Sequence, residues 1–172
     1  MNNVKVISGK FRGRNLKTPN SSLTHPMGSR EKLALFNMIS EFLPGAIVLD
    51  AYSGSGALGI EAISRGASEV WFIEKSAKVG EVIRDNLATL GISGEVFIGE
   101  VMKFTSDTDF RVILADPPYD NFKLKEVEYL AQFLDDDGVF VLSHPGEAPE
   151  VNGLRLLTSR RYAVASISVY VK

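Results

Sequence analysis

Three glycines, Gly54, Gly56 and Gly59, form a GxGxxG motif within the segment VLDAYSGSGALGIEA. Between a strand and a helix, such a motif lets the backbone turn sharply and lets a ligand approach it closely. Glu74 follows Gly54 by about 20 residues, at the end of the next predicted strand, where a carboxylate can accept hydrogen bonds from ribose hydroxyls. The pattern is typical of a site for a dinucleotide or for S-adenosylmethionine, and a glycine-rich turn without a ligand is the simpler alternative.

Asp50 bears on the choice between these two ligands. It ends the strand that precedes the glycine turn, so its carboxylate is expected at the carboxyl edge of the sheet, beside the ligand crevice. There it would repel a pyrophosphate and would suit the ammonium of a methionine moiety, directly or through water. Hydrogen bonds to loop amides are the alternative role for this carboxylate. Asp50 therefore favours S-adenosylmethionine over a dinucleotide.

A second candidate site is the sequence ADPPY, residues 115–119, at the end of a later predicted strand. Two successive prolines fix an extended backbone and remove two hydrogen-bond donors. The Asp116 carboxylate and the Pro117 carbonyl can together accept the two hydrogens of an exocyclic amine, and Tyr119 offers a ring on which a base can stack. The segment predicts a site that holds the amino group of a nucleobase.

The elements that position these residues alternate between strands and helices. Strands are predicted at residues 46–50, 69–74, 95–99, 111–116 and 138–144, and helices at residues 57–65, 77–90 and 124–133. An earlier helix, capped by Ser29, is expected to continue to Leu43, before Pro44 and Gly45. Alternation of this kind indicates right-handed βαβ units, and so a parallel sheet covered on both faces. Residues 154–160 and 166–171 are predicted to close the chain as an antiparallel hairpin.

The N-terminal region is basic although the whole chain carries a net charge of -2. Residues 1–32 contain seven Lys or Arg side chains against Glu31 alone, a net charge of +6, which leaves -8 for the remainder. Two short strands are predicted here, at residues 4–8 and 14–18, around the turn glycines Gly9 and Gly13. Such a surface favours a polyanionic partner, because each cation at a phosphate releases condensed counterions, while a merely solvated pair of basic strands is the alternative. Arg160, Arg161 and Tyr162 in the last hairpin either extend this basic surface or form a solvated turn.

Composition excludes several classes of protein. The chain has 172 residues, enough for one domain with a sizeable core, and its 45% hydrophobic and 23% charged fractions are typical of globular proteins. The absence of cysteine excludes disulfides, thiolate metal sites and a cysteine nucleophile, and with only two histidines we expect no metal. No stretch of about 18 apolar residues is present, so we expect a cytoplasmic protein that does not enter a membrane.

The two motifs together resemble a known class of enzyme. DxYxGxGxxG followed by DPPY is similar to the class I S-adenosylmethionine-dependent amino-methyltransferases that act on nucleic-acid bases. KVISGKFRGRNLKTP, HPMGSREKLALFN and VLDAYSGSGALGIEAISRGA more closely resemble the bacterial 16S rRNA guanine-N2 methyltransferases that modify guanine 966. The segment His25-Pro26-Met27 stands where that family usually has Arg-Pro-Thr, so its first and last residues depart from the pattern, and Glu100 stands where Asp is common.

The resemblance implies an α/β fold: a Rossmann-like, seven-stranded class I methyltransferase sheet whose last strand is antiparallel, with a small N-terminal β-hairpin appendage. It divides the chain into a basic arm, residues 1–24, and a methyltransferase domain, residues 25–172. The implied cofactor is S-adenosyl-L-methionine, and the implied partner is 16S rRNA in the small ribosomal subunit or its assembly intermediate. We expect a monomer.

The resemblance also implies roles for individual residues. The methionine end of the cofactor would contact Asp50, Gly54 and Gly56, its ribose Glu74, and its adenine Glu100 and Val101. The target guanine would be held by Asp116, Pro117 and Tyr119. The expected RNA contacts are Lys10, Arg12, Arg14, Lys17 and Arg30.

Three alternative functions remain open from the sequence. A methyltransferase acting on adenine N6 would use the same DPPY sequence. A noncatalytic RNA-binding assembly factor would keep the fold, although mere binding does not need an edge that orients an amine. An NAD-binding oxidoreductase would use the glycine motif, and titration with NADH and S-adenosylhomocysteine separates it from a methyltransferase.

Overall fold

The computed structural model describes residues 4–19 and 27–172 of the chain. The helices are α1 (Ser29–Met38), α2 (Ala57–Ser64), α3 (Ala77–Leu90) and α4 (Leu124–Ala131). The strands are β1 (Val4–Lys5), β2 (Asn15–Leu16), β3 (Ile47–Asp50), β4 (Glu69–Glu74), β5 (Glu95–Ile98), β6 (Phe110–Ala115), β7 (Leu134–His144), β8 (Arg155–Arg161) and β9 (Ser166–Val171).

Seven strands form one sheet in the order β5-β4-β3-β6-β7-β9-β8. The first five strands of this order are parallel, and β9 is antiparallel to both β7 and β8. Strands β1 and β2 make a separate antiparallel pair. The predicted α/β fold, with an antiparallel last strand and an N-terminal hairpin, is confirmed. Because β3, β4, β6 and β7 are parallel, they all end at one side of the sheet, which we call the carboxyl edge.

Each face of the sheet carries its own hydrophobic core. Successive residues of a strand point to opposite faces, so Val48 packs on one side and Leu49 on the other. The first core contains Phe36 of α1 and residues of α2 and α3, and the second contains Leu130 of α4. Burial on both faces explains why the strands are continuous hydrophobic runs in the sequence.

Glu61, in α2, joins the N-terminal hairpin to this domain. Its carboxylate is fully buried and accepts hydrogen bonds from the backbone N–H of Ile7 at 2.8 Å and of Ser8 at 3.0 Å. The Arg65 Nε donates to it at 2.8 Å, and the buried Lys32 Nζ lies 3.5 Å away. The Lys32 ammonium also donates to the Lys5 carbonyl at 2.7 Å. The hairpin is therefore fixed to α1 and α2 by a buried carboxylate.

This anchoring explains two differences from the predicted elements. The strand predicted at residues 4–8 is limited to Val4–Lys5, because the amides of Ile7 and Ser8 bond to Glu61 instead of to a facing strand. The strand predicted at residues 14–18 is limited to Asn15–Leu16, after which the Lys17 N–H bonds to Asn86. Lys32 was counted among the surface charges of the arm, but it is 2% exposed, and burial lowers its pKa while the charge of Glu61 partly offsets that effect. The predicted domain boundary between residues 24 and 25 lies outside the described residues.

Both ends of α1 and the start of β7 also differ from the prediction. The helix expected to reach Leu43 ends at Met38 and is followed by a 3₁₀ turn, Ser40–Phe42. Ser29 is the first helical residue and not the cap, since Gly28 holds the cap position and no side chain bonds there. Strand β7 begins at Leu134, before the predicted residue 138, because an irregular pairing with β6 extends it.

We predict that Glu61→Ala lowers the free energy of unfolding by about 3 to 5 kcal/mol, because it leaves buried cations and two amides without their acceptor. Glu81→Ala is the matched control. Glu81 is also a helical glutamate paired with an arginine, Arg84, but this ion pair is exposed to solvent, where such a pair contributes about 0 to 1 kcal/mol. Urea unfolding of both variants measures the difference. Equal losses would show that the buried carboxylate does not anchor the hairpin.

Candidate active site at the carboxyl edge

The three glycines of the motif, two in the turn between β3 and α2 and one within α2, meet different structural needs. Gly54 has φ of +52° and Gly56 has φ of +78°, a left-handed region that other residues rarely adopt. A Cβ on Gly59 would lie 2.4 Å from the ring of Phe72, so this glycine allows α2 to pack closely on β4. A Cβ on Gly54 would meet nothing within 4 Å. The first glycine therefore opens on space that a ligand can enter.

Glu74 holds the glycine loop beside the end of β4. Its Oε2 accepts a hydrogen bond from the Gly54 N–H at 3.1 Å, and its Oε1 accepts one from the Ser76 N–H at 2.8 Å. Its backbone carbonyl accepts from the Gly99 N–H at 3.0 Å, which places the segment after β5 at the same edge. Glu100 is exposed there and Val101 is buried. The structure thus brings together three of the predicted cofactor residues: Glu74, Glu100 and Val101.

Asp50 ends β3 and is 1% exposed. Its Oδ2 accepts a hydrogen bond from the Gly59 N–H at 2.9 Å, so the bond to a backbone amide, proposed above as an alternative role, is present. Burial raises the pKa of Asp50 to about 7, the Gly59 bond lowers it, and the charges of Asp116 and Glu74 raise it. Three carboxylates therefore interact at this edge, and a positively charged ligand would relieve their repulsion.

Asp116 follows β6 and is joined to a hydroxyl network. The Tyr119 hydroxyl donates to Asp116 Oδ1 at 3.3 Å and lies 2.5 Å from the Ser143 Oγ. Burial raises the pKa of Asp116, and hydrogen bonds with Ser143 and Tyr119 partly offset this. Burial and the charge of Asp116 raise the pKa of Tyr119 to about 12, so the hydroxyl keeps its proton at neutral pH. The network fixes the direction of the Tyr119 ring, and the neighbouring Pro117 is buried.

Ser143 was missed in the sequence analysis. It is 1% exposed and lies one residue before the end of β7, in the sequence VLSHP. A hydroxyl near the end of an otherwise apolar strand was the available signal. Its contact with Tyr119 depends on the pairing of β7 with β6, in which Leu142 lies opposite Ala115.

The five predicted RNA contacts occupy two regions. Lys10, Arg12 and Arg14 lie on the exposed tip of the hairpin, where the Lys10 N–H donates to the Ser64 carbonyl at 2.8 Å. Ser64 ends α2, about 12 Å from the glycine loop for a helix of eight residues. The structure therefore does not bring these three cations to the carboxyl edge.

Lys17 and Arg30 lie nearer to the motifs. The Lys17 N–H donates to Asn86, whose side chain donates to the Ser55 carbonyl in the glycine loop, but the Lys17 ammonium pairs with Asp85 at 2.9 Å. Arg30 is exposed in the first turn of α1, and the adjoining Glu31 contributes to the raised pKa of Tyr119. His25 and Pro26 lie outside the described residues.

The described part of the chain comprises residues 4–19 and 27–172. No helix in them has both the length and the apolar character that a membrane span requires. They also contain no group of three or more His, Cys, Asp or Glu side chains arranged to hold a metal ion.

Comparison with known proteins identifies the family. The family described as Conserved hypothetical protein 95 matches residues 4–171. Ribosomal RNA small subunit methyltransferase D from Escherichia coli K12 is 35% identical, over 78% of this chain and 68% of its own. The chain belongs to the same family. YlbH from Bacillus subtilis, provisionally named an rRNA methyltransferase, is 34% identical over 98% of this chain and 99% of its own. The predicted membership of the rRNA methyltransferase family is confirmed.

Solved structures agree with this relationship. The structure of yhhF from Escherichia coli, provisionally named a methyltransferase, has a TM-score of 0.88 and 29% identity, covering 98% of this chain and 97% of its own. Magnesium protoporphyrin IX methyltransferase from Synechocystis PCC 6803, solved with bound S-adenosylmethionine, has a TM-score of 0.65 over 83% of this chain and 79% of its own. At 15% identity, that likeness shows the shared fold alone.

We predict that Asp50→Asn stabilises the ligand-free protein at alkaline pH. Between the ordinary pKa of 3.8 and the folded value of about 7, the folded state binds a proton that the unfolded state has lost, so stability falls as pH rises through this window. An Asn side chain does not ionise, so the variant does not lose stability in this way. Its free energy of unfolding should exceed that of the wild type by up to about 4 kcal/mol at pH 8, and the difference should shrink towards pH 4.

Urea unfolding of both proteins across this pH range measures the effect. Asp136→Asn, at a side chain that is 95% exposed, is the control and should change stability by less than about 0.5 kcal/mol at every pH. A constant difference between Asp50→Asn and the wild type would contradict the raised pKa of Asp50.

Proposed function

We propose that this protein transfers a methyl group from S-adenosylmethionine to the exocyclic N2 amine of a guanine in 16S rRNA. The observation that carries the proposal is the placement of Asp116, held by Tyr119 and Ser143, at an edge where the carboxylates of Asp50 and Glu74 flank the glycine loop. Family membership supports rRNA as the substrate. The position of the amine on the base comes from the sequence resemblance.

The site fits S-adenosylmethionine better than it fits a dinucleotide. Asp50, Glu74 and Asp116 interact closely enough for the last two to raise the pKa of Asp50. A pyrophosphate would add negative charge to this edge, whereas the cofactor brings an ammonium and a sulfonium. When bound, S-adenosylmethionine supplies a methyl group on a positively charged sulfur.

Each part of the cofactor has residues suited to it. Asp50, Gly54 and Gly56 would hold the methionine end, since the loop is open at Gly54 and the Asp50 carboxylate is adjacent. Each Glu74 oxygen accepts one N–H and keeps a lone pair for a ribose hydroxyl. Glu100 and Val101 would flank the adenine, one in solvent and one buried.

The target guanine would be held by the chain after β6. It must leave its stack for its amine to reach this edge. An Asp116 oxygen and the Pro117 carbonyl would accept the two amine hydrogens, and Tyr119 would offer its ring while its hydroxyl stays bound to Asp116 and Ser143. Most of the catalysis is then positioning, because the residues align the nitrogen lone pair with the methyl group.

The partner would be 16S rRNA in the small ribosomal subunit or its assembly intermediate, in the cytoplasm, and the protein would act as a monomer. Arg30 and Lys17 would contact RNA near the target base. Lys10, Arg12 and Arg14 would contact RNA farther away, since the hairpin tip lies at the far end of α2. This arrangement requires an RNA substrate that extends along the side of the domain.

We predict that the protein transfers labelled methyl from S-adenosylmethionine to small ribosomal subunits prepared from cells that lack this activity. Nucleoside analysis of the product should give N2-methylguanosine. N6-methyladenosine would instead identify the adenine alternative, and no transfer together with tight NADH binding would identify a dinucleotide enzyme. Parallel assays on naked 16S rRNA and on subunits identify the preferred substrate.

We further predict that Asp116→Asn retains about tenfold more activity than Asp116→Ala. An exocyclic amine has little basicity, so Asp116 helps by accepting a hydrogen bond and not by removing a proton, and an Asn oxygen can still accept one. The Ala variant keeps only the Pro117 carbonyl, and the further loss corresponds to about 1.4 kcal/mol of barrier. Single-turnover methylation at saturating cofactor and RNA decides the role, because an obligatory general base would make both variants equally slow.

A further inference from the structure

Arg160 and Arg161, at the end of β8, lie on the carboxyl edge because of the pairing of the last three strands. Ser143 lies opposite Ile167 of β9, and Ile167 lies opposite Arg160. His144 lies opposite Ser166, and Ser166 lies opposite Arg161. The two arginines therefore share rows of the sheet with the residues that end β7. Their distance along the sequence from DPPY conceals this relationship.

The spacing of the strands gives the reach of this pair. Neighbouring strands lie about 4.8 Å apart, so the backbone at Arg160 lies about 10 Å from that at Ser143 and about 14 Å from that at Asp116. The side chain of an arginine extends several ångströms farther. Phosphates within a few nucleotides of a base bound at Asp116 would come within reach.

Both guanidinium groups are available to a ligand. Arg160 and Arg161 are exposed, and neither makes a salt bridge within residues 4–19 and 27–172, the part of the chain that the structure describes. By contrast, Lys17 pairs with Asp85, and Lys32 with Glu61. The segment from Arg155 to Lys172 contains no acidic residue, so nothing within the hairpin opposes a phosphate.

The backbone that carries the two arginines is well held. The Tyr162 N–H donates to the Ala165 carbonyl at 2.7 Å, which closes the turn, and the Tyr162 ring packs against the first core. The Ser166 hydroxyl donates to the Gly146 carbonyl at 2.6 Å, which ties the turn to the loop that follows β7. An anchored backbone lowers the entropic cost of ordering these side chains against RNA.

We propose that Arg160 and Arg161 bind backbone phosphates of the substrate RNA next to the target base, on the side of Asp116 opposite the glycine loop. The inference rests on the proposed function for the identity of the RNA. A guanidinium offers paired N–H donors that match two phosphate oxygens, and consecutive residues of an edge strand point to opposite faces. The two side chains therefore project to opposite faces of the sheet, and each can bind a phosphate on its own face beside the base that must leave its stack.

The test compares Arg160→Ala and the double variant Arg160→Ala/Arg161→Ala with Arg155→Ala. Arg155 is the matched control because it is an exposed arginine at the other end of the same strand, opposite Val171 and about 17 Å from Arg160. Binding of each protein to unmodified small ribosomal subunits and to 16S rRNA transcript is measured at several salt concentrations, and S-adenosylhomocysteine affinity is measured by calorimetry.

We expect the Arg160→Ala variant to bind RNA about five- to tenfold more weakly near 0.1 M salt, and its slope of log affinity against log salt to be smaller by about 1. The double variant should lose about 2 from this slope, while Arg155→Ala and all cofactor affinities stay at wild-type values. An unchanged slope for the double variant, or an equal loss for Arg155→Ala, overturns the inference, as does a wild-type protein that binds neither RNA.

These outcomes are separate from the fate of the proposed function. If the wild type methylates guanine in rRNA and the double variant is unaffected, the function stands and the arginine contact is wrong. If the wild type binds RNA through Arg160 but transfers no methyl group to it, the contact stands and the methyltransferase activity is wrong.

Discussion

The parallel pairing of β3 with β4 and β6 brings three carboxylates to one edge of the sheet, and their repulsion is the constraint on which the site depends. Asp50 cannot move away, since it ends a buried strand and is bound to Gly59. Asp116 is likewise held by a hydroxyl network. The carboxyl edge therefore has a negative potential that favours a cation before any ligand binds. The repulsion lowers the free energy of unfolding, and contacts elsewhere in the fold must offset this loss.

The electrostatic coupling also links the two halves of the proposed site. Asp116, on the side proposed for the target base, contributes to the raised pKa of Asp50, on the side proposed for the cofactor. A cation that binds beside Asp50 favours ionised carboxylates at both positions, so it strengthens the hydrogen-bond acceptor that an amine would meet. Cofactor binding is therefore expected to increase the affinity for the base without a conformational change of the protein.

The sequence was informative where function depends on a short contiguous motif. The glycine turn and ADPPY were recognisable because the candidate site residues lie next to the strand ends that position them. The sheet followed from the alternation of elements. Ser143 was not recognisable, since its role requires the register between β7 and β6.

Long-range contacts also explain the errors in the N-terminal region. Glu61 and Lys32 look like ordinary surface charges of two helices, yet they are buried against each other and against the hairpin. The bonds of Glu61 to the Ile7 and Ser8 amides shorten the first predicted strand, and the burial of Lys32 reduces the surface charge of the arm. The arginines of β8 reach the carboxyl edge for a similar reason, because two antiparallel pairings return the chain to it.

The hydrogen bonds that fix the hairpin to Glu61 have a consequence for synthesis of the chain. The amide of Ile7 bonds to a residue 54 positions later, so the hairpin has no acceptor when it leaves the ribosome. At about 5 to 20 residues per second, it waits roughly 3 to 11 seconds for α2. During that interval its cationic tip is unanchored next to ribosomal RNA, and the nascent chain is exposed to nonspecific association until Glu61 emerges.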